Sequence, residues 1–351
     1  MESPTPVPSA ASPEFGVGDV ATAYVQLVLQ LGEHDDNYVD AYYGPPQWRE
    51  NVPKRPLADI LADAETLLYR IGELVTVSPP PPASNEVDQL RARFLLKQVY
   101  VQAVSRATKH MDATQITALK THAFALMPGH GRLSFDSESE LLYDAVAPRL
   151  TDDTFAAVLD KLDKLLPPGA GSLIDRYVAF KDKYIIPPEK LSTVFEAAVA
   201  KTREITKTWI ELPAEESFRI EYVNNKPWSG YNWYKGGYYS VIQINTDLPI
   251  YIDRAVDLAA HEGYPGHHVY NMLLEKNLYQ DRGMVEFAVY PLFSPQSLIA
   301  EGSANYGIEM CFPTEPERVQ FEKSVLFPLA GLDPHAARLF YEVERLVRWY
   351  K

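Results

Sequence analysis

From Val20 to Gly32 the chain repeats apolar residues at helical intervals, and Asp19 just ahead of the run predicts an N-cap. Leu57 to Leu74 repeats the pattern with Ala, Leu and Glu throughout, so a second helix is expected there. Four prolines, Pro79 to Pro82, break the pattern and predict a rigid loop between packed helices. A long helix from Ser84 to His110 follows, with Ser84 or Asn85 as its cap. Residues 111–180 predict several shorter helices punctuated by Pro128-Gly129 and Pro167-Pro168-Gly169. Pro187-Pro188 opens another helical run, Glu189 to Glu211.

The period changes near residue 217. Phe218, Ile220 and Tyr222 alternate along one face, and Gly237 to Asn245 is β-branched and aromatic. Gly and Asn separate the two runs, which predicts a small antiparallel sheet. Helix returns at Tyr251, again over Gln296 to Met310, and from Pro334 onward. The expectation is a mainly α protein in three stretches. Residues 1–15 form a disordered tail, 16–210 a helical subdomain, and 211–351 a metal-site subdomain packed as one unit with it.

Composition narrows the function classes. The 351 residues carry a net charge of −14, which lacks the basic footprint that phosphate backbones require, so a nucleic-acid partner is not expected. The single cysteine, Cys311, permits no intrachain disulfide and reads as a small buried apolar residue. No apolar run has membrane-spanning length, and the Pro/Ser/Ala-rich start lacks the form of a signal peptide. A cytoplasmic protein without a membrane partner is expected.

Chemistry concentrates at residues 261–268, His-Glu-Gly-Tyr-Pro-Gly-His-His, which hold three of the eight histidines. A His-Glu pair, a further His and a distant Glu are the parts of a zinc hydrolase site. Three protein ligands hold the metal, and the Glu beside the first His takes a proton from water. Regular spacing would put the second His four residues on, yet that position is Pro265. On a straight helix His268 lies roughly 10 Å along the axis from His261, and His267 is turned by roughly 120°. The spacing therefore predicts a bulge at Gly263-Tyr-Pro-Gly266. His267 is the favoured second ligand, and His268 is the alternative, or else a donor that either supports the ligands from behind or faces substrate. Glu301, in Ala-Glu-Gly-Ser-Ala-Asn-Tyr, supplies the third ligand on another helix. Glu309 is the candidate to orient a ligand histidine. Tyr306, Tyr239 and His268 are candidates for stabilising an oxyanion. Tyr238, Asn245 and the strand between them are candidates for aligning substrate, and Arg338 or Arg345 for pairing with its carboxylate.

At these residues the chain resembles the family known as domain of unknown function 885, predominantly helical proteins similar to glutamate-liganded zinc metallopeptidases. The resemblance rests on HEGYPGHH at 261–268, EGSANY at 301–306 and YYSVIQINT at 238–246, and it is strong from about 215 to 310. It implies a multi-helix zincin-like fold, zinc at His261, His267 and Glu301, and Glu262 as general base. It also implies hydrolysis of peptide or other amide bonds, with a carboxypeptidase among the options. Ser303 stands where the family usually carries Trp, and family members are usually longer. Two rival readings are a non-haem iron oxidoreductase built on two histidines and a carboxylate, and a non-catalytic helical binding protein with a remnant metal site.

Overall fold

A computed structural model describes residues 16–76, 86–101, 136, 139, 143, 145–292 and 294–348. The expected tail, the proline loop and most of the short helices before residue 145 lie outside the described residues. The chain is mainly helical with small sheets. It divides into two compact units, one of Met1–Val39, Gly44–Ser134 and Leu278–Pro295, the other of Asp40–Tyr43, Phe135–Asn277 and Gln296–Lys351. The division falls near residue 135 rather than 210, because the helices of 152–206 bury their apolar faces in the same core as the site-bearing segments.

In the first unit the helices Val17–Gly32, Leu57–Thr76 and Glu86–Val101 pack together through Val20, Tyr24, Val28, Leu68, Ile71, Leu95 and other buried residues. The first helix starts earlier than its apolar period suggests. Gly16 is the residue before it, and Asp19 sits in the first turn with its carboxylate accepting the Gly16 N–H at 2.8 Å. The Arg91 guanidinium grips buried Glu286 with two bonds of 2.6 and 2.9 Å.

In the second unit the helices Asp152–Leu165, Leu173–Lys181, Leu191–Thr206 and Ala337–Arg348 surround an aromatic-rich core with Phe180, Tyr184, Phe195, Phe327 and Phe340. A three-stranded sheet adds Ile242 and Ile244 to that core. Its central strand is Tyr239–Asn245. Ser217–Val223 runs parallel to it, and Gly230–Tyr234 runs antiparallel on the other edge. The sheet is thus mixed, not antiparallel as expected. The chain passes from the first strand to the far edge and then turns back into the middle. That return is a tight hairpin in which Gly236, Gly237 and Tyr238 have positive φ. Buried Glu275 accepts the Gly237 N–H at 3.0 Å and the Tyr234 hydroxyl at 2.5 Å, which holds the turn closed. Among the described residues no helix is long and apolar enough to cross a membrane.

Candidate metal centre

The helix that enters the motif is regular from Ile252 to Leu258 and widens to a π turn over Ala259–Gly263. There the Tyr264 N–H reaches Ala259 O at 3.0 Å, and the Gly266 N–H reaches Ala260 O at 2.8 Å. The chain leaves through a cis Tyr264–Pro265 peptide, and His267 opens a new helix, His267–Leu273. The rise and rotation counted along a straight helix therefore do not apply to His267. Gly266 permits the crossing: a Cβ there would lie 1.8 Å from the His261 carbonyl oxygen. From the Pro295–Cys311 helix, Gly307 comes so close that its Cβ would meet Ala260 O at 3.2 Å and Pro265 Cδ at 3.3 Å.

These turns bring three side chains together. His261 Nε2 lies 3.2 Å from His267 Nε2 and 3.5 Å from Glu301 Oε2, and His267 Nε2 lies 3.3 Å from Glu301 Oε1. Among the described residues this is the one group of His, Cys, Asp or Glu compact enough to hold a metal ion. Ligand atoms about 2.05 Å from a common ion at tetrahedral angles lie about 3.3 Å from one another. The observed triangle has those edges, so two imidazoles and a carboxylate fit a zinc ion here. The histidines are largely buried, whereas the Glu301 side chain is 56% exposed, so the cluster opens on that side.

The electrostatics follow from the crowding. Hydrogen bonds from His261 and His267 hold the Glu301 carboxyl well below the usual carboxylate range. Burial works against a charged His261, yet its bond to Glu301 and the fields of Glu262 and Glu301 hold its pKa above the ordinary value. Burial raises Glu262 against the lowering fields of His267 and His261. The edge strand presses on this carboxylate. A Cβ on Gly230 would lie 3.0 Å from Glu262 Oε1, and Asn232 donates to the Glu262 carbonyl at 2.7 Å. Asp40 also feels the cluster. Burial pushes it up to about 6 against a hydrogen bond from Tyr231, while the fields of His267 and Glu301 oppose each other.

His268 is not in the cluster. It is fully buried, with Nδ1 2.8 Å from Ser240 Oγ and Nε2 3.1 Å from Glu216 Oε2. Both ring nitrogens are engaged, so it is not open to substrate as expected. Glu216 also accepts the Tyr264 hydroxyl at 2.6 Å and the Arg203 Nε–H at 2.9 Å. These bonds outweigh the cost of its burial and hold its carboxyl below the ordinary value.

Other expected positions are placed elsewhere. The Tyr239 hydroxyl accepts from Arg219 at 2.7 Å, and Tyr239 shares the face of the sheet opposite Ser240 and Ile242. Tyr238 belongs to the hairpin turn. Asn245 spends its amide on loop backbone, donating to Lys226 O at 2.9 Å and accepting the Asp247 N–H at 3.0 Å. Tyr306 is exposed and turned about 140° from Glu301 around their helix. Glu309 is exposed and about 12 Å beyond Glu301 along the axis. Arg338 pairs with Glu342 on an open surface, and Arg345 pairs with Glu315. Arg203, Glu216, Ser240 and Asp40 were not visible in the sequence as site residues. No family profile, curated protein or solved structure matches the chain, so the reading of this centre rests on its own geometry.

Proposed function

We propose that the protein is a zinc-dependent hydrolase of peptide or other amide bonds, with the metal held by His261, His267 and Glu301. The observation that carries this reading is the 3.2–3.5 Å triangle of ligand atoms with buried Glu262 beside it. Zinc, when bound, supplies a Lewis acid that polarises the scissile carbonyl and makes water acidic enough to react near neutral pH.

The remaining work falls to the chain. Glu262 takes a proton from the attacking water at its carboxylate and hands it to the departing amide nitrogen. Its burial favours the protonated form, which keeps this carboxylate basic enough for the task. The Gly230–Tyr234 strand walls off the Glu262 side, while the exposed side of Glu301 leaves a way in. Glu262 is what separates this reading from an iron oxidoreductase on the same triad, which has no use for a general base next to the first histidine.

Metal analysis of the purified protein should return about one zinc per chain, lost together with peptide hydrolysis on chelation. Glu262→Gln should retain the metal and lower kcat by about 10²–10⁴-fold. Full occupancy by iron with oxygen-dependent turnover, or undiminished hydrolysis by Glu262→Gln, would overturn the proposal.

A further inference from the structure

The edge strand Gly230–Tyr234 grips the metal-site motif on both sides of its interruption. Residues 230, 232 and 234 share one face of the strand. Position 230 has no room for a side chain: a Cβ would lie 2.8 Å from Leu258 Cδ2 and 3.0 Å from Glu262 Oε1. Two residues on, Asn232 donates to the Glu262 carbonyl at 2.7 Å. Two further on, the Tyr234 hydroxyl donates to Glu275, on the helical run that follows His267–Leu273. The strand therefore splints the gap between Gly263 and His267, with Glu262 before it and Glu275 after it.

Asn232 supplies what the interruption removes. In a regular helix the Glu262 carbonyl would accept the Gly266 N–H, but that group reaches Ala260 O instead. Asn232 is buried, and among the described residues its amide oxygen meets no hydrogen-bond partner. An apolar residue in this position, opposite Ile242, would cost less to bury. The bond to Glu262 explains why a polar side chain stands there.

We propose that Asn232 is a positioning residue for Glu262: together with Gly230 it holds the general base from its backbone carbonyl to its carboxylate tip, in place beside the metal triangle. This rests on the hydrolase reading above. Misplacing a reacting group by about 1 Å can cost about 10²-fold in rate. The Asn232 amide bonds Glu262 and not a metal ligand, so its loss acts on kcat and leaves the zinc in place.

The test is a double-mutant cycle on the zinc-loaded protein with a peptide substrate. Asn232→Leu removes the donor with little change of volume. It should lower kcat by about 10–100-fold, with KM within about 3-fold of wild type and zinc content unchanged. In the Glu262→Gln background the same change should alter kcat by less than about 3-fold, because the group it positions is already gone. Asn232→Ala removes the same donor without branched bulk and reads the same quantities if Asn232→Leu does not fold. A fall of equal size in the Glu262→Gln background, a fall matched by lost zinc, or an unchanged kcat overturns the assignment. A second arm needs no turnover and compares crystal structures of wild type and variant. The Glu262 carboxylate should move by about 1 Å or more while His261, His267 and Glu301 keep their places. A Glu262 side chain that stays where it is overturns the assignment. If wild type cleaves no peptide the hydrolase reading fails, and the crystal structures still decide the role of Asn232.

Discussion

Glu216 shows how a single side chain outside the ligand set shapes the centre. Its carboxylate is fully enclosed and gathers Arg203 from one helix with Tyr264 and His268 from the two sides of the metal-site turn. A carboxylate with this many donors is worth more charged than neutral. Its folded-state pKa lies below the usual 4.5. The stability it contributes is therefore present above that value and is lost as pH falls through the lower folded-state value. Replacing Glu216 with Gln should destabilise the metal-free protein at neutral pH and flatten its loss of stability below about pH 4.5. Urea melts at a series of pH values measure this. An unchanged acid slope in the variant would show that other carboxylates dominate.

The turn at 264–266 is the element on which the centre depends. The π turn, the break and the new helix place His267 opposite His261. Tyr264 is held at its hydroxyl by Glu216, and its carbonyl accepts a weak bond from the Cys311 thiol at 3.4 Å. The His267 carbonyl accepts from Asn271 at 3.0 Å. Tyr264→Phe keeps the ring against Phe218 and His268 but removes the bond to Glu216. Zinc affinity should drop by about 10-fold or more, as for other groups that orient ligands indirectly. Gly266→Ala should do worse, costing about 3 kcal/mol or more, because its Cβ collides with rigid backbone. Competition with a chelator and denaturant melts separate the two effects, and a Tyr264→Phe variant with wild-type zinc affinity would refute the clamp.

Much of this turn was legible in the sequence. Pro265 forbids regular spacing and the flanking glycines permit a distortion, both of which are local facts. The brace was not legible, since isolated Glu216, Ser240 and Arg203 carry no local pattern and acquire meaning only through tertiary contact. The sheet was half legible for a similar reason. Alternation identifies strands but not their partners, and the Gly230–Tyr234 strand is short and begins in a Gly/Asn-marked connection.

Across the whole molecule, the two units carry different burdens. His261, His267, Glu301 and Glu262 all belong to the second. The first has its own buried ion pair, Arg91 with Glu286. Arg91→Met strands a buried carboxylate and should destabilise the first unit by about 3–5 kcal/mol. Zinc content should remain at the wild-type level, because no ligand comes from that unit. Denaturant melts paired with metal analysis check this, and loss of zinc in parallel with the melt would show that the units fold as one.

The chain leaves the second unit after Asn277 and re-enters it at Gln296. His267 and Glu301 stand on either side of that excursion. An ion shared between them would fasten the two stems of a loop whose middle folds in another body. Such a clasp restricts the unfolded chain as a crosslink does, with a benefit that grows slowly with the length enclosed. The metal would then serve architecture as well as chemistry, and a protein emptied of it would lose a closure in its path as well as a reagent.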